Sequence, residues 1–306
     1  MQPTNNYGHD FDEQEVPVCK KCGLSIVKAH IWGDETWTQN PVECGSNFEE
    51  KQPTLVETVV VEAQEATGGI PHEIIPGLTS IIIPIYNIDY SLMHYTGNCL
   101  GAVREHTDKT KTPYEIILVD NASPIKLEPS MYPVEKVIVN EVNLGYAKAV
   151  NKGIRVSQGE YVCVMNNDTQ VFEHWLEDMQ EALTKLDLVM ATPMYGEPFA
   201  RAVESAKKRL EFENKPIEDS FSDFRDFSCI LTKRSVFETI GTFDEDFFMY
   251  GEDLDLIRRM EREGLKVASS KKVNIYHVIG ATSTSIAETP EIMNDSKALL
   301  KEKYGE

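Results

Sequence analysis

Three features that would each assign this chain of 306 residues to a familiar class are missing from its sequence. No apolar run approaches the ~20 residues of a membrane-spanning helix, and the N-terminal MQPTNNYGHDFDEQE lacks the hydrophobic region of a signal peptide. The chain also contains neither G-x-G-x-x-G nor G-x-x-x-x-G-K-S/T, the phosphate-binding loops of Rossmann dehydrogenases and P-loop NTPases. We therefore expect a cytoplasmic protein without a membrane span, and a function outside those two enzyme classes.

Positive charge and cysteine are both scarce. The chain has 30 Lys and Arg against 50 Asp and Glu, a formal net charge of −20, which argues against a broad nucleic-acid surface. Its six cysteines are too few and too unevenly placed for a disulfide scaffold of this length. Cys99, Cys163 and Cys229 each lie among apolar residues and are most simply interpreted as reduced thiols in a core. A reducing, intracellular environment is therefore expected.

The composition changes twice along the chain. Residues 1–50 hold half of the cysteines, two of the three tryptophans and little periodicity. Residues 51–78 carry acids, a Gly-Gly pair and prolines, which predicts a linker with one short strand at most. From Thr79 onward the alternation of apolar runs and helical patterns is typical of an α/β domain.

A cluster of cysteine and histidine within residues 1–50 has the composition of a zinc site. Cys19 and Cys22 have C-x-x-C spacing, and His30 and Cys44 complete a Cys3His set suited to tetrahedral zinc. A short segment with few apolar residues would gain folding free energy from such a metal. The spacing after the first pair is not that of a stereotyped finger, so free thiols are an alternative, as is His9 in place of His30.

Four near-continuous apolar runs predict strands that are covered on both faces of a sheet. They are TSIIIPIY (79–86), YEIILVD (114–120), EKVIVN (135–140) and EYVCVMN (160–166). Helical periodicity separates them, at Asn98–His106, Tyr146–Val156 and Glu173–Leu186. Strand alternating with helix predicts right-handed crossovers and a mostly parallel sheet flanked by helices. Further strands are predicted at 188–193 and 227–233, and further helices from about Asp253 to Glu263 and after Pro290.

Polar residues follow three of the predicted strands. The tips are Pro84-Ile85-Tyr86-Asn87, Asp120-Asn121 and Asn166-Asn167-Asp168. Taken singly, each tip could be a turn or a cap, which Asn and Asp favour through their own backbone hydrogen bonds. Together they predict a ligand site, because adjacent parallel strands bring their carboxyl ends to one crevice. A carboxylate flanked by amides, such as Asp168, suits a hard divalent cation that is shared with phosphate oxygens.

A second chemistry-bearing stretch is FDEDFFMYGEDLDLIRRM, residues 243–260. Its acids flank an aromatic loop, and Glu252 and Asp253 stand at the start of a predicted helix. Acids there complement the helix dipole, which is one interpretation. The other is a general base beside an aromatic binding wall, because a carboxylate can accept a proton from a hydroxyl nucleophile. His277 follows a short apolar strand, and on sequence alone such a histidine is more often a hydrogen-bonded core residue than a ligand.

The order of these segments resembles that of the family 2 glycosyltransferases, with the rhamnosyltransferase-like branch nearest. The resemblance covers about residues 79–285 and rests on six motifs in the family's order. They are TSIIIPIYN, EIILVDNAS, NEVNLGYAKAVNKGI, GEYVCVMNNDT, FSCILTKRSVFETIGTFDEDFFMYGEDLDLIRRM and VNIYHVIGATS. It implies a GT-A fold that uses a nucleotide-diphosphate sugar and a divalent metal, with inversion at the anomeric carbon. Residues 286–306 would form a C-terminal helix beyond it.

The same resemblance assigns roles to individual residues. Asp253, paired with Glu252, falls on the family's catalytic base, and Asp168 on its metal-binding acid. His277 would complete the metal shell, and its imidazole favours manganese or another transition ion over magnesium. The positions expected around the donor are Pro84, Tyr86, Asn87, Asp120, Asn143, Gly145, Asn151, Asn166 and Asn167. One of them departs from the family's D-x-D pattern, because Asn166 replaces the first acid and one anionic metal ligand is missing.

The chemistry of such a reaction is consistent with these residue types. Breaking a glycosyl–phosphate bond builds negative charge on the departing diphosphate, which a cation stabilises. Glycosidases fit less well, because they place two carboxylates about the scissile bond and need no metal. The acceptor would be a glycan, a lipid-linked sugar or another hydroxyl. Two rival hypotheses are a catalytically inactive GT-A scaffold that binds a partner, and a nucleotidyl-transfer enzyme, for which basic residues are few beyond Lys148 and Lys152.

Overall fold

The computed structural model describes residues 59–61, 73–126, 134–196, 199–212, 215, 221–222, 227–278, 281 and 289–305. All of them belong to one unit of the chain, Leu55–Glu306. The residues named above as zinc ligands lie outside the described residues: His9, Cys19, Cys22, His30 and Cys44. The zinc module over residues 1–50 therefore stays a prediction.

Among the described residues, ten strands form a single sheet. One half runs in the order β1 (Val59–Val61), β4 (Lys136–Val139), β3 (Tyr114–Asp120), β2 (Ile75–Ile85) and β5 (Gly159–Met165), with every pair parallel. The other half continues with β9 (Cys229–Lys233), β7 (Met190–Gly196), β10 (Val267–His277) and β6 (Thr169–Gln170), while β8 (Phe221–Ser222) pairs with β10. β9 is antiparallel to both of its neighbours, and β6 and β8 are antiparallel to β10. The predicted mostly parallel α/β sheet is confirmed.

Helices connect most of these strands. In the described part of the chain they are α1 (Tyr90–His106), α2 (Tyr146–Val156), α3 (Trp175–Lys185), α4 (Phe199–Lys207), α5 (Arg234–Ile240), α6 (Glu252–Arg262) and α7 (Thr289–Tyr304). A 3-10 turn covers Lys208–Phe212. The clearest difference from the sequence analysis is α1, which begins eight residues before the predicted Asn98. Asp89 caps it, because its side chain accepts a hydrogen bond of 3.0 Å from the backbone N–H of Leu92.

The central strands are buried on both faces, as their apolar composition requires. β3 is buried along its whole length, and Ile81, Ile82 and Ile83 of β2 are 0% exposed. α2 packs closely on this sheet, since a Cβ added to Gly153 would come within 2.4 Å of Cγ2 of Ile82. Interiors packed this tightly hold the strand ends in fixed positions, which is the precondition for a preformed site at the sheet edge.

The ends of the described unit add two details to the predicted domain boundaries. β1 lies within the predicted linker 51–78 and extends the parallel half of the sheet by pairing with β4. β2 begins at Ile75, slightly before the predicted start at Thr79. α7 occupies the predicted C-terminal helix, 286–306. None of the helices within the described ranges is long and apolar enough to cross a membrane.

Candidate active site

The carboxyl end of β3 carries a network of side-chain amides. Asn121, which follows β3, donates through Nδ2 to Oδ1 of Asn143 at 2.8 Å and to the backbone oxygen of Gly145 at 3.1 Å. Its Oδ1 accepts from Nδ2 of Asn140 and from the backbone N–H of Leu144, both at 3.0 Å. The predicted donor-site residues Asn143 and Gly145 are therefore held in place by Asn121.

The tips of β2 and β3 are joined by a buried serine. Oδ1 of Asp120 accepts from the backbone N–H of Ser123, whose hydroxyl in turn accepts from the backbone N–H of Asn87, both at 2.8 Å. Asp120 thus caps the loop after β3, the turn role considered for it above. Asn87 is 0% exposed, and its Nδ2 has no hydrogen-bond partner among the described residues. Pro84 is buried within β2, whereas Tyr86, just beyond the strand, is half-buried.

The three residues that end β5 have separate partners. Asn167 donates from Nδ2 to Oγ1 of Thr96 at 2.9 Å, and that hydroxyl lies 3.3 Å from Oδ1 of Asn87. Thr96 of α1 therefore connects the tips of β5 and β2. Oδ1 of Asn166 accepts from the hydroxyl of Tyr146 at 3.1 Å. Only the third residue, Asp168, keeps a buried side-chain oxygen without a hydrogen bond in the described part of the chain.

Asp168 and His277 form the first chemically distinctive pair. His277 is the last residue of β10, and the antiparallel pairing of β10 with β6 places it opposite Thr169. Its Nε2 lies 3.4 Å from Oδ1 of Asp168, a residue that is 7% exposed. Two ligands of one cation with bonds of ~2.0–2.1 Å are separated by roughly 3.0–3.4 Å, so this pair fits a divalent ion.

The protein supplies few other ligands for such an ion. Within the described ranges, no group of three or more His, Cys, Asp or Glu side chains is arranged to hold a metal. Asn166 is engaged by Tyr146, as described. A sparse protein shell is what a metal shared with substrate phosphates requires, because the remaining positions are filled by phosphate oxygens and water.

Glu252 and Asp253 form the second pair, at the start of α6. The preceding residues Tyr250 and Gly251 both have positive φ, 70° and 89°, which turns the chain sharply into the helix. Glu252 is 7% exposed and its buried Oε2 has no hydrogen-bond partner in the described chain. Burial, and then the charge of Asp253, raise the pKa of Glu252 to about 8. Burial also raises the pKa of Asp253, whose Oδ1 accepts from the backbone N–H of Leu254 at 2.7 Å.

Tyr146 lies near acids of both pairs. Burial raises the pKa of its hydroxyl well above the ordinary value, and the negative charges of Glu252, Asp253 and Asp168 raise it further. Both pairs are therefore close enough to act on one side chain that also donates to Asn166. The sequence analysis missed Tyr146, because an aromatic residue at the start of a helix has the same pattern as a core residue.

The aromatic loop of residues 247–250 is fastened to the start of α2. The backbone N–H of Tyr146 donates to the backbone oxygen of Phe248 at 2.6 Å. Gly145, the N-cap of α2, has φ of 86°, and a Cβ there would lie 2.5 Å from that oxygen. Only glycine tolerates both the backbone conformation and the close approach, so Gly145 fixes the distance between the loop and the helix.

The predicted residue Asn151 and the nearby acid Asp255 both have their polar atoms engaged by the protein itself. Asn151 donates from Nδ2 to the backbone oxygen of Phe243 at 2.8 Å and to Oε1 of Glu245 at 2.9 Å, and its Oδ1 accepts from the N–H of Phe243 at 3.1 Å. It therefore positions the acidic segment, and its place around the donor stays a prediction. Asp255, buried in α6, accepts from Arg259 at 2.8 Å and from Tyr304 at 2.6 Å.

Comparison with known proteins identifies the class of this chain. Residues 80–241, more than half of the sequence, match the model of the family Glycosyl transferase family 2. The chain therefore belongs to glycosyl transferase family 2. It is a nucleotide-sugar-dependent glycosyltransferase, as the sequence analysis predicted.

Individual relatives are similar at a lower level. The N-acetylglucosaminyl-diphospho-decaprenol L-rhamnosyltransferase of Mycobacterium tuberculosis (strain CDC 1551 / Oshkosh) is 25% identical over 227 residues, 60% of this chain and 71% of the relative. The dTDP-rhamnosyl transferase RfbF of Shigella flexneri is 24% identical over 183 residues, 56% of this chain and 62% of the relative. The crystal structure of GalNAc-T7 with UDP, GalNAc and Mn2+ matches with a TM-score of 0.52 at 15% identity, covering 65% of this chain and 43% of that chain. This last similarity is one of fold, and it agrees with the predicted GT-A architecture.

Proposed function

We propose that this glycosyltransferase is metal-dependent and transfers a hexose or deoxyhexose to an acceptor hydroxyl with inversion at the anomeric carbon. The observation that carries the proposal is that acids of both pairs, Asp168 of one and Glu252 and Asp253 of the other, lie near the hydroxyl of Tyr146. The pair Asp168 and His277 suits a cation beside the leaving diphosphate, and the pair Glu252 and Asp253 suits a proton acceptor. A single displacement needs both functions around one sugar.

At the leaving-group end, some residues of the chain would bind the metal ion and others the nucleotide. Asp168 and His277 would hold the ion, Mn2+ or Mg2+, which when bound offsets the negative charge that builds on the departing diphosphate. Asn166 supplies no anionic ligand to that shell, and its Oδ1 accepts a hydrogen bond from Tyr146. Nδ2 of Asn87, buried without a partner in the described chain, is available to donate to the nucleotide. The proposed donor site further comprises Pro84, Tyr86, Asp120, Asn143, Gly145 and Asn167.

The adjacent acids Glu252 and Asp253 would have different roles. Asp253 accepts the proton of the acceptor hydroxyl as the new glycosidic bond forms and the bond to the diphosphate breaks. Its raised pKa makes the ionised carboxylate a stronger proton acceptor than an exposed aspartate. Glu252, with a pKa of about 8, keeps its proton at neutral pH and would donate a hydrogen bond to substrate.

The names of the relatives suggest which donor to test first. One is named as an L-rhamnosyltransferase and another as a dTDP-rhamnosyl transferase. We therefore propose dTDP-rhamnose as the leading donor, with other nucleotide-diphosphate sugars as comparisons. A glycan or lipid-linked sugar is the proposed class of acceptor, because the name of the first relative describes a lipid-diphosphate-linked sugar.

Substituting Asp253 by Asn tests the proposal most directly. Asp253→Asn keeps the size of the side chain but cannot take a proton, so release of dTDP from dTDP-rhamnose should fall at least about 100-fold. Binding of donor and manganese, measured by thermal shift, should be unchanged. Glu263→Gln, an exposed acid at the end of the same helix, is the matched control and should behave like the parent.

Other outcomes would contradict parts of this assignment. Turnover within a few-fold of the parent would move the base to another acid, with Glu252 first in line. An equal loss of donor affinity would make Asp253 a helix cap. Donor binding without turnover in the parent protein, for every nucleotide-sugar tested, would instead support the inactive scaffold, for which we find no positive observation.

A further inference from the structure

A cleft of about 340 Å³ opens between the aromatic loop and α7. Its lining among the described residues is Asp246, Phe248, Ile292, Asp295, Ser296 and Leu299. None of these six residues belongs to the proposed donor or metal site. Four of them belong to α7, and all six lie beyond residues 80–241, the part that matches the family model.

The cleft is next to the proposed reaction centre. Phe248 contacts the start of α2, since a Cβ on Gly145 would lie 2.8 Å from Cδ2 of its ring. The backbone oxygen of Phe248 also accepts a hydrogen bond from the N–H of Tyr146, whose hydroxyl lies near Asp168, Glu252 and Asp253. The same loop leads directly into Glu252 and Asp253. A molecule in the cleft would therefore contact Phe248, in the loop that leads to the proposed base.

Both walls of the cleft are fixed by specific contacts. Oγ of Ser296 donates to the backbone oxygen of Met249 at 2.8 Å, which fastens the middle of α7 to the aromatic loop. At the end of α7, Nζ of Lys303 donates to Oδ2 of Asp244 at 2.6 Å, and the hydroxyl of Tyr304 donates to Oδ1 of Asp255 at 2.6 Å. The cleft is thus a built feature of the fold and does not require a conformational change to form.

The lining combines an aromatic face with carboxylates. The ring of Phe248 is 40% exposed, and Ile292 and Leu299 extend the apolar surface. Asp246 and Asp295 supply carboxylates, of which Asp246 has a distant contact of 3.9 Å with Lys303. An apolar wall with a few polar groups that fix orientation is the usual composition of a small-molecule site. A pyranose fits it, because its C–H face packs on the ring while its hydroxyls donate to carboxylates.

The charge of the cleft narrows the choice of ligand further. Two carboxylates in one cleft disfavour an anionic group by like-charge repulsion. A phosphate or uronic acid is therefore a poor occupant, whereas a neutral sugar is acceptable and an amino sugar gains from the charge. Any diphosphate on the acceptor would have to lie outside this cleft.

We propose that the cleft between the aromatic loop and α7 binds the terminal sugar ring of the acceptor, an uncharged or cationic pyranose. This inference rests on the proposed function, because it takes the carboxylates of α6 as the place where the acceptor hydroxyl reacts. It identifies Phe248 as the side chain on which the sugar ring packs, and Asp295 as the carboxylate that favours a cationic sugar over an anionic one.

Saturation-transfer difference NMR on the full chain tests the inference without knowledge of the natural acceptor. The probes are methyl glucopyranoside, methyl glucosaminide and methyl glucuronide, which share one ring and differ in charge. Saturating dTDP and manganese occupy the donor crevice during the measurement. The parent should bind the amino sugar best, the neutral sugar next and the glucuronide at least about tenfold more weakly, a difference of 1.4 kcal/mol.

Variants locate the binding. Phe248→Ala should weaken the neutral probe about tenfold or more, and Asp295→Asn should remove the preference for the amino sugar. Ile292→Ala should weaken binding, whereas Met293→Ala is the matched control, since it lies on the same helix outside the cleft lining and should bind like the parent. The comparison of Ile292→Ala with Met293→Ala still tests the cleft if Phe248→Ala disturbs the contact between residue 248 and Gly145.

Three results would overturn the inference. They are the absence of saturation transfer to methyl glucopyranoside, equal binding of the probes by the Ile292→Ala and Met293→Ala variants, and tighter binding of methyl glucuronide than of the other two probes. Thermal shift with dTDP-rhamnose is recorded on the same proteins in the absence of dTDP. If dTDP-rhamnose raises the melting temperature but the sugar probes do not bind as expected, only the assignment of the cleft is rejected. If dTDP-rhamnose does not raise the melting temperature of the parent, the proposed function is rejected, whatever the sugar probes show.

Discussion

Glu252 and Asp253 are neighbours in the sequence, yet their surroundings differ. Glu252 is buried with an unpartnered oxygen in the described chain, while Asp253 is half-buried and bonded to the backbone N–H of Leu254. Desolvation disfavours the charged form of each, and it does so most for the side chain that is most buried. One acid can therefore stay protonated beside another that takes a proton.

The pH dependence of stability tests this difference. The pKa of Glu252 is about 8 in the folded state against an ordinary value of 4.5, so between these pH values the folded state binds more protons than the unfolded state. Its contribution to the free energy of unfolding is fully present below about pH 4.5 and is lost as the pH rises through about 8. Glu252→Gln cannot ionise, so its melting temperature should rise relative to the parent from pH 5 to 8 and then level off. A constant difference across thermal melts at pH 5, 6.5, 8 and 9 would contradict the buried, protonated state, and Glu263→Gln should show no such trend.

His277 provides a second test at the scale of single residues. Imidazole is a better ligand for manganese than for magnesium, so His277→Ala should weaken manganese binding more than magnesium binding. Asp168→Asn should weaken both ions, because a carboxylate serves either. Calorimetric titration of each metal in the presence of dTDP measures the two affinities. Unchanged affinity for both ions in the His277 variant would return this residue to a structural role.

At the scale of elements, apolar patterning predicted most of the parallel half of the sheet. The run at 114–120 coincides with β3, the run at 160–166 matches β5 to within one residue at each end, and the run at 79–86 matches β2 apart from the earlier start of that strand at Ile75. Patterning could not predict β6 or β8, because two-residue strands are defined by their partner and not by their own composition. The antiparallel direction of β9 was equally invisible, since an apolar run carries no information about the direction of its neighbours.

The contacts that build the site also depend on residues distant in the sequence, and these partners could not be predicted from local pattern. The polar strand tips could be recognised in the sequence, since each residue is unusual at the end of an apolar run. The role of Tyr146 depends on carboxylates that are at least 22 positions away along the chain. The contact between the amide of Asn151 and Phe243 likewise joins residues far apart in the sequence, so it could not be predicted from the sequence.

The close contact between Gly145 and Phe248 forms the joint between α2 and the aromatic loop, and a matched pair of glycine substitutions tests it. Gly145→Ala would combine a positive φ with a contact of 2.5 Å to the backbone of Phe248, and should cost about 1–3 kcal/mol of stability. It should also weaken binding of dTDP, since the loop would move away from the crevice. Gly101→Ala lies in the interior of α1 with open space around it, and should stabilise by roughly 0.5–1 kcal/mol. Chemical denaturation measures both, and a neutral Gly145→Ala would show that the joint does not depend on close approach.

At the scale of the whole molecule, the candidate site is assembled from both sides of the family boundary. Asp168 lies within residues 80–241, whereas Asp253 and His277 lie beyond them. α7 then fastens the end of the chain onto the aromatic loop and α6 through Ser296 and Tyr304. We infer that the donor end of the reaction depends on the family core together with His277, and that acceptor choice depends on the segments that follow the core.

The N-terminal residues provide the last prediction, which concerns the independence of the two ends of the chain. The buried core of the described unit is built from residues after Leu78, such as Ile81, Leu118 and Leu231, and a composition break at 51–78 precedes it. Metal held by Cys19 and Cys22 should therefore stabilise residues 1–50 alone. We expect elemental analysis of the full chain to find zinc, and the double variant Cys19→Ser and Cys22→Ser to lose it while the main calorimetric transition stays in place. Cys163→Ser, in the buried core, is the contrasting control, which should keep the zinc and lower that transition. A shift of the main transition on zinc loss would mean that both ends fold as one unit, and a parent protein without zinc, or with a disulfide between Cys19 and Cys22, would remove the metal site altogether.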